Sequence, residues 1–198
     1  MGNGSIQVLR KAAQLHGDDV HLMDIVLRES NRLNKIIEDF LKYARPRPPD
    51  LQRLDLMKVA EETVSLLRNN PAPMQDHEII LKACPEPMWM HGDSDLLRQV
   101  CWNLASNALK AMPKGGRLHI SGQAENGKNV GLQFKDEGIG MTSEELSLVF
   151  QPFHSGFSEG LGIGMAIVYQ IVEQHGGKIE IQSEKGSGTT VKLEFDRA

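Results

Sequence analysis

The sequence predicts an α+β chain in which one layer of helices covers one sheet, preceded by an antiparallel helical hairpin. Three observations carry that expectation. The first 45 residues repeat apolar side chains at helical spacing. Beyond Pro46, Pro48 and Pro49, alternating segments mix with helical ones without strict strand–helix–strand order. Glycine is concentrated late, with 15 of 19 at or beyond Gly115, which suits loops that approach a ligand closely. With 198 residues, 40% hydrophobic and 24% charged, the composition is globular rather than disordered.

Taken in order, Ser5 to Leu15 reads as the end of a helix, and His16-Gly17-Asp18-Asp19 as a turn. Leu22, Val26, Glu29, Leu33, Ile36, Phe40 and Tyr43 then alternate steps of four and three. A second stripe, Met23, Leu27, Ile37 and Leu41, runs beside them. This is a heptad seam with an apolar flank, interrupted at Glu29. A lone hairpin leaves so wide a face uncovered, so half of a dimeric four-helix bundle is preferred to a packed monomeric hairpin. The prolines end the helix. Asp55 can cap a helix over 56–68. A second helix is expected over 94–112, and a third after the glycines near Leu161, through Gln174. Strands are expected over 77–84, 117–124, 129–136, 178–183 and 189–195. The expected domains are a hairpin over 1–45, a proline-rich linker over 46–55 and a main domain over 56–198.

Several classes are disfavoured. Twenty-two basic against 26 acidic residues leave a charge of −4, unlike a nucleic-acid binder with a basic surface. The longest apolar run is five residues, Met165 to Tyr169, far short of the roughly 18–20 of a membrane span. MGNGSIQ has no apolar core of a signal peptide. Cys84 and Cys101 form no CxxC pair and read as reduced core residues, so the expected compartment is the cytoplasm.

Four constellations carry chemistry. Gln99, Asn103, Asn107 and Lys110 share one helix face. Amides embedded in apolar VCWNLASNAL need partners, either an internal polar network or Mg²⁺ bearing a phosphate chain, with Lys110 on a phosphate oxygen. Asp136-Glu137-Gly138-Ile139-Gly140-Met141 closes an apolar strand. It is either an ordinary turn or a carboxylate set to accept from a planar amino group, with glycine backbone against a ring. Gly160-Leu161-Gly162-Ile163-Gly164-Met165 opens a helix, where backbone amides suit phosphate. The GxGxG spacing fits neither the Rossmann nor the Walker pattern. Gly186-Ser187-Gly188-Thr189-Thr190 is a tight turn into the last strand.

Together with Phe150-Gln151-Pro152-Phe153, the order and spacing of these motifs resemble the ATP-binding domain of sensor histidine kinases. That domain lies in the superfamily shared with gyrase, a heat-shock chaperone and the MutL repair protein, and the resemblance spans about 56–195. LMDIVLRESNRLNKIIEDFLKYARP is similar to the second helix of the kinase dimerisation domain, most like the nitrogen-regulation and pilus-regulation sensors.

The resemblance implies a Bergerat-type two-layer fold, a mixed sheet with about three helices on one face. It implies that Asp136 holds adenine, lined by Gly138, Gly140 and Met141, and that Thr189 supports the adenine side. Asn107 would hold Mg²⁺ and Lys110 would reach the phosphates of ATP. Gly162, Ile163, Gly164 and Met165 would wrap the triphosphate, and 142–159 would be the closing lid. Asn103 stands where gyrase-like hydrolases carry Glu as base for water. An amide cannot take that proton, which favours phosphoryl transfer to histidine over hydrolysis. The implied partners are a second copy, through the N-terminal helices, and a response-regulator receiver domain; nucleic acid and membrane contact are not implied. The rival readings are an ATP hydrolase and a non-catalytic nucleotide-binding module. The chain departs from the family in His154-Ser155-Gly156-Phe157, which lacks the lid lysine, and in Leu161, where threonine is common. None of the seven histidines has the acceptor context, so the phospho-accepting segment is expected just before Gly4, on a part the chain lacks.

Overall fold

The computed structural model describes residues 18–69, 76–125, 127–154 and 162–198. They fall into two units, divided between Pro46 and Arg47. In the first, helix α1 (Asp18–Ala44) runs 27 residues, about 40 Å at 1.5 Å per residue. Asp18 and Asp19, expected in a turn, belong to this helix. The helix expected over Ser5–Leu15 lies outside the described residues. Along α1 the seam residues Leu22, Val26 and Leu33 are 50–58% exposed, and Ile37 and Leu41 beside them 54%.

The second unit opens with an unforeseen strand, β1 (Gln52–Asp55), in the segment expected to be linker. It pairs antiparallel with β3 (Trp89–Gly92), also unforeseen. Four residues each, with Arg53 stacked 4.6 Å over the Trp89 ring, these strands are too short for alternation to announce them. Asp55 ends β1 and caps α2 (Leu56–Arg68), accepting from the Met57 N–H at 3.1 Å. Its Oδ1 also accepts from the Met88 N–H, tying the cap to the chain entering β3.

The main sheet has five strands in the order β2 (His77–Lys82), β4 (Gly116–Glu125), β5 (Asn129–Asp136), β7 (Gly188–Asp196), β6 (Lys178–Glu184). Only β2 and β4 run parallel; the other pairs are antiparallel. Register sets the core. Leu132 lies opposite Gly122 and Leu193, and Phe134 opposite Ile120 and Val191. These side chains and Phe195 face one layer of helices: α2, α3 (Ser94–Ala111) and α5 (Gly164–Gln174). Leu97, Val100, Leu104 and Ala108 give α3 its buried stripe, with spacings of three and four. A short helix, α4 (Ser143–Ser147), was not foreseen. The α+β expectation holds, with three helices on one face of a mixed sheet.

Candidate functional site

Strand alternation delivers Asp136. Val130, Leu132, Phe134 and Asp136 share the inward face of β5, so the last buried position of an apolar strand is a carboxylate, 6% exposed. Oδ1 accepts from the Gly138 N–H at 2.8 Å and the Thr189 N–H at 3.2 Å. Oδ2 has no hydrogen-bond partner among the described residues. Burial pushes this carboxyl above its ordinary value, opposed by the two N–H bonds.

The following loop is stitched at both sides. The Ile139 N–H donates to the Ala111 carbonyl at 2.9 Å, at the end of α3. The Ile139 carbonyl accepts from the Gly186 N–H at 2.8 Å, in the β6–β7 turn. Gly140 takes φ +59°, and a side chain there would overlap the Glu184 carbonyl. Glycine at 140 is therefore demanded by both conformation and space. Ser183 completes the loop. Its Oγ accepts from the Met141 N–H at 2.9 Å, donates to the Gly188 carbonyl at 3.0 Å and lies 2.9 Å from the Thr189 Oγ1. Sequence reasoning missed Ser183; alternation along β6 places it at an inward position, which was its one signal.

The amide face of α3 meets the start of α5. Asn103 Nδ2 donates to the Gly164 carbonyl at 3.3 Å. A side chain on Gly164 would come 3.9 Å from the Asn107 amide nitrogen. Helix α5 begins at Ile163 without a side-chain cap. The Ile163 carbonyl takes the Ile167 N–H at 2.9 Å, so the N–H groups of the first turn have no partner within the helix. Such a turn offers donors and the positive end of the dipole to an anion. Ile163 itself is buried, so it serves the site through backbone alone, while Met165 is half-buried. Gly162 has φ +67° and packs on the His154 backbone. Lys110 is exposed on α3. Gly160 and Leu161 lie outside the described residues, as does 155–159 of the expected lid. The earlier part of that segment is anchored: Thr142 and Glu145 form a capping box on α4, Lys185 lies 3.3 Å from Glu145, and Phe150 packs on Tyr169 with centroids 5.1 Å apart.

Helix α3 thus touches two separate features. Near Asn103 and Asn107 it meets the uncapped turn of α5, and at Ala111 it meets the Asp136 loop. Asn103 and Asn107 lie eight and four residues before Ala111, roughly 12 and 6 Å along the helix. An uncapped helix turn and a carboxylate oxygen without a described partner thus stand along one helix.

Residues 92–198 match the family of histidine kinase-, DNA gyrase B- and HSP90-like ATPases. The chain belongs to this ATPase family. It is 31% identical to sporulation kinase E of Bacillus subtilis (strain 168) over 190 residues, 96% of this chain and 25% of that protein. The mycobacterial sensor histidine kinase MprB superposes with a TM-score of 0.64 at 26% identity, covering 74% of this chain and 97% of that one. The full-length ShkA structure in complex with AMPPNP superposes with a TM-score of 0.82 at 23% identity, over 99% of this chain and 43% of that one. The chain thus spans about a quarter of the length of this kinase relative. Among the described residues, no helix is long and apolar enough to cross a membrane, and no cluster of three His, Cys, Asp or Glu could hold a metal.

Proposed function

We propose that this chain is the nucleotide-binding catalytic part of a protein-histidine kinase. In this reading it binds Mg·ATP and presents the γ-phosphoryl to a histidine of the dimerisation domain, for onward transfer to a response-regulator aspartate. The observation that supports it is the placement of α3, which contacts the Asp136 loop and the α5 turn at once. Asp136 Oδ2 would accept from the adenine amino group, and backbone at Gly138, Gly140 and Met141 would lie along the ring. Thr189, hydrogen-bonded to both Asp136 and Ser183, would hold the edge of that pocket. N–H groups of α5 from Gly164 onward would bind phosphate oxygens, with Lys110 as a mobile cation.

Mg²⁺ suits the donor set, because it is usually held by one or two hard protein oxygens together with substrate phosphates. Asn107 supplies such an oxygen beside the α5 turn. Bound there, the ion would neutralise charge developing on the phosphates. Asn103 spends its amide N–H on the Gly164 carbonyl and has no proton-accepting group for water. It would act by holding the phosphate turn, which argues against a hydrolase. The exposed stripe of α1 would form the interface between two copies.

Calorimetry with Mg·ATP tests the first step, with micromolar affinity expected, roughly −6 to −8 kcal/mol. No heat and no thermal shift would refute it. Transfer is tested by adding a histidine-bearing dimerisation fragment in trans. Acid-labile, base-stable label should appear on that fragment, and its absence despite ATP binding would favour the nucleotide-binding module.

A further inference from the structure

The segment between α1 and α2 does not behave as the free linker its prolines suggest. Asp93, the cap of α3, is 5% exposed, and its carboxylate accepts four hydrogen bonds from described residues and pairs with a further guanidinium nitrogen. Two are the cap itself, from the Asp95 and Leu96 N–H groups at 3.1 Å each. The other two come from the linker. Arg47 donates Nη2 to Oδ1 at 3.1 Å, and its Nη1 lies 2.9 Å from Oδ2, a two-pronged guanidinium–carboxylate ion pair. The Asp50 N–H donates to Oδ2 at 3.0 Å. On its other side the Asp93 N–H donates to His175 Nε2 at 3.0 Å, at the far end of α5. His175 Nδ1 donates to the Ile171 carbonyl at 2.7 Å, which fixes Nε2 as acceptor. Asp93 thus joins the linker to both helices that carry the phosphate end of the site.

We propose that Arg47 is a positioning residue: by clasping Asp93 it docks the linker on the nucleotide-binding unit and sets the length of chain free between that unit and α1. The inference rests on the kinase reading, in which that length governs reach to an acceptor on the dimerisation helices. With the clasp closed, Ala44 at the end of α1 is three residue steps from the anchor at Arg47. At about 3.1 Å per residue for a proline-rich chain, that spans about 9 Å. With it open, the next anchor is Gln52 at the start of β1, eight steps or about 25 Å away. The clasp is built to open without unfolding the unit. Arg47 is 52% exposed, and after its departure Asp93 keeps its two cap bonds.

The test measures electron spin–spin distances on the whole chain, without nucleotide. Labels go on Ala44→Cys and Lys192→Cys, the latter exposed on β7, in a Cys84→Ser background. Cys101 stays, since burial pushes its thiol up to about 12 and it does not label. Excess unlabelled chain removes distances between copies. The distribution should be broader in Arg47→Ala than in the parent, extending to distances longer by up to about 15 Å. Hydrogen exchange at the Asp50 amide should rise at least tenfold in the variant. Arg47→Lys, which cannot form the two-pronged pair, should fall between. The melting temperature of Arg47→Ala should stay within about 4 °C, and its Mg·ATP affinity within twofold. Identical distributions in parent and variant would overturn the proposal, as would a parent already as broad as the variant. A change in ATP affinity beyond about fivefold would assign Arg47 to the nucleotide site instead. Failure of ATP binding in the parent would refute the kinase reading, and the distances would still decide the clasp.

Discussion

Replacing Asp136 by Asn separates recognition from folding. The substituted side chain keeps an oxygen where Oδ1 stands, so the Gly138 and Thr189 N–H groups retain an acceptor. Each bond becomes neutral rather than charge-assisted, which weakens it by about 1 kcal/mol. Against this, the substitution removes a buried charge. The Asp136 carboxyl is raised in the folded state, so the fold binds its proton more tightly than the unfolded chain does. Its contribution is therefore fully present below the ordinary carboxylate value of 3.8 and falls as pH rises through the raised one. At neutral pH the charge opposes folding, and Asn relieves that. The two effects offset, leaving stability within about 1 kcal/mol and a melting temperature within about 4 °C.

Nucleotide binding has no such offset. The amide presents an NH₂ group in place of Oδ2, donor against the donor of an adenine amino group. Loss of that bond should weaken binding by about 1–3 kcal/mol, or roughly 5- to 150-fold. At Mg·ATP near 100 times the parental Kd, the ligand stabilises the parent by about 2.7 kcal/mol. A 30-fold weaker variant retains only about 0.9 kcal/mol under the same conditions. Thermal denaturation with and without Mg·ATP therefore reads both quantities. An undiminished ligand shift in the variant would show that Asp136 does not touch the base. A loss of more than about 3 kcal/mol without ligand would show that the carboxylate is there for the fold.

Gly140→Ala should destabilise the unit by about 1–3 kcal/mol, since it combines positive φ with overlap on the Glu184 carbonyl; urea denaturation measures it. Leu132→Ala, in the middle of the sheet core, should cost about 2–5 kcal/mol by the same assay. Asn107→Ala should leave the fold intact but abolish the Mg²⁺ dependence of ATP affinity, seen by titration with and without chelator. The chain alone, incubated with labelled ATP, should acquire no acid-labile, base-stable label. Label removed by His16→Gln or His21→Gln would mean that an acceptor is present after all.

The site was legible because each of its chemical demands restricts residue type. Positive φ at Gly140 and Gly162 admits essentially glycine, so both positions show in the sequence. Asp136 shows because a charge on the inward face of an apolar strand is otherwise costly. Asn103 and Asn107 show because amides on an otherwise apolar helix demand partners. Ser183 does not show. A serine between Gln182 and Glu184 on a half-exposed edge strand satisfies the strand whether or not its hydroxyl does anything. Its role exists only through contacts with Met141, Gly188 and Thr189, and the Met141 contact joins residues 42 positions apart.

The expected linker was misread for a related reason, and its docking fixes where the second unit begins. Three prolines in four positions are a sound sign that a helix has ended, but they describe the chain's conformation and not its attachments. Proline lacks an N–H, so a proline-rich stretch can dock only through side chains and the few remaining amides. That is the arrangement found: the Arg47 guanidinium and the Asp50 N–H, both on one carboxylate. Because Asp93 must be present in any case to cap α3, its remaining acceptor capacity lets the linker dock without a dedicated surface. The second unit therefore starts at Arg47, nine residues before Leu56, where hydrophobic patterning first announces it. A truncation beginning at Leu56 would remove Arg47, Asp50, β1 and the Asp55 cap of α2 together. It should fold less stably than one beginning at Arg47 by at least the roughly 0.5–2 kcal/mol of a lost cap, as urea midpoints of the two would show. Equal midpoints would mean that the docked segment rests on the unit without contributing to it.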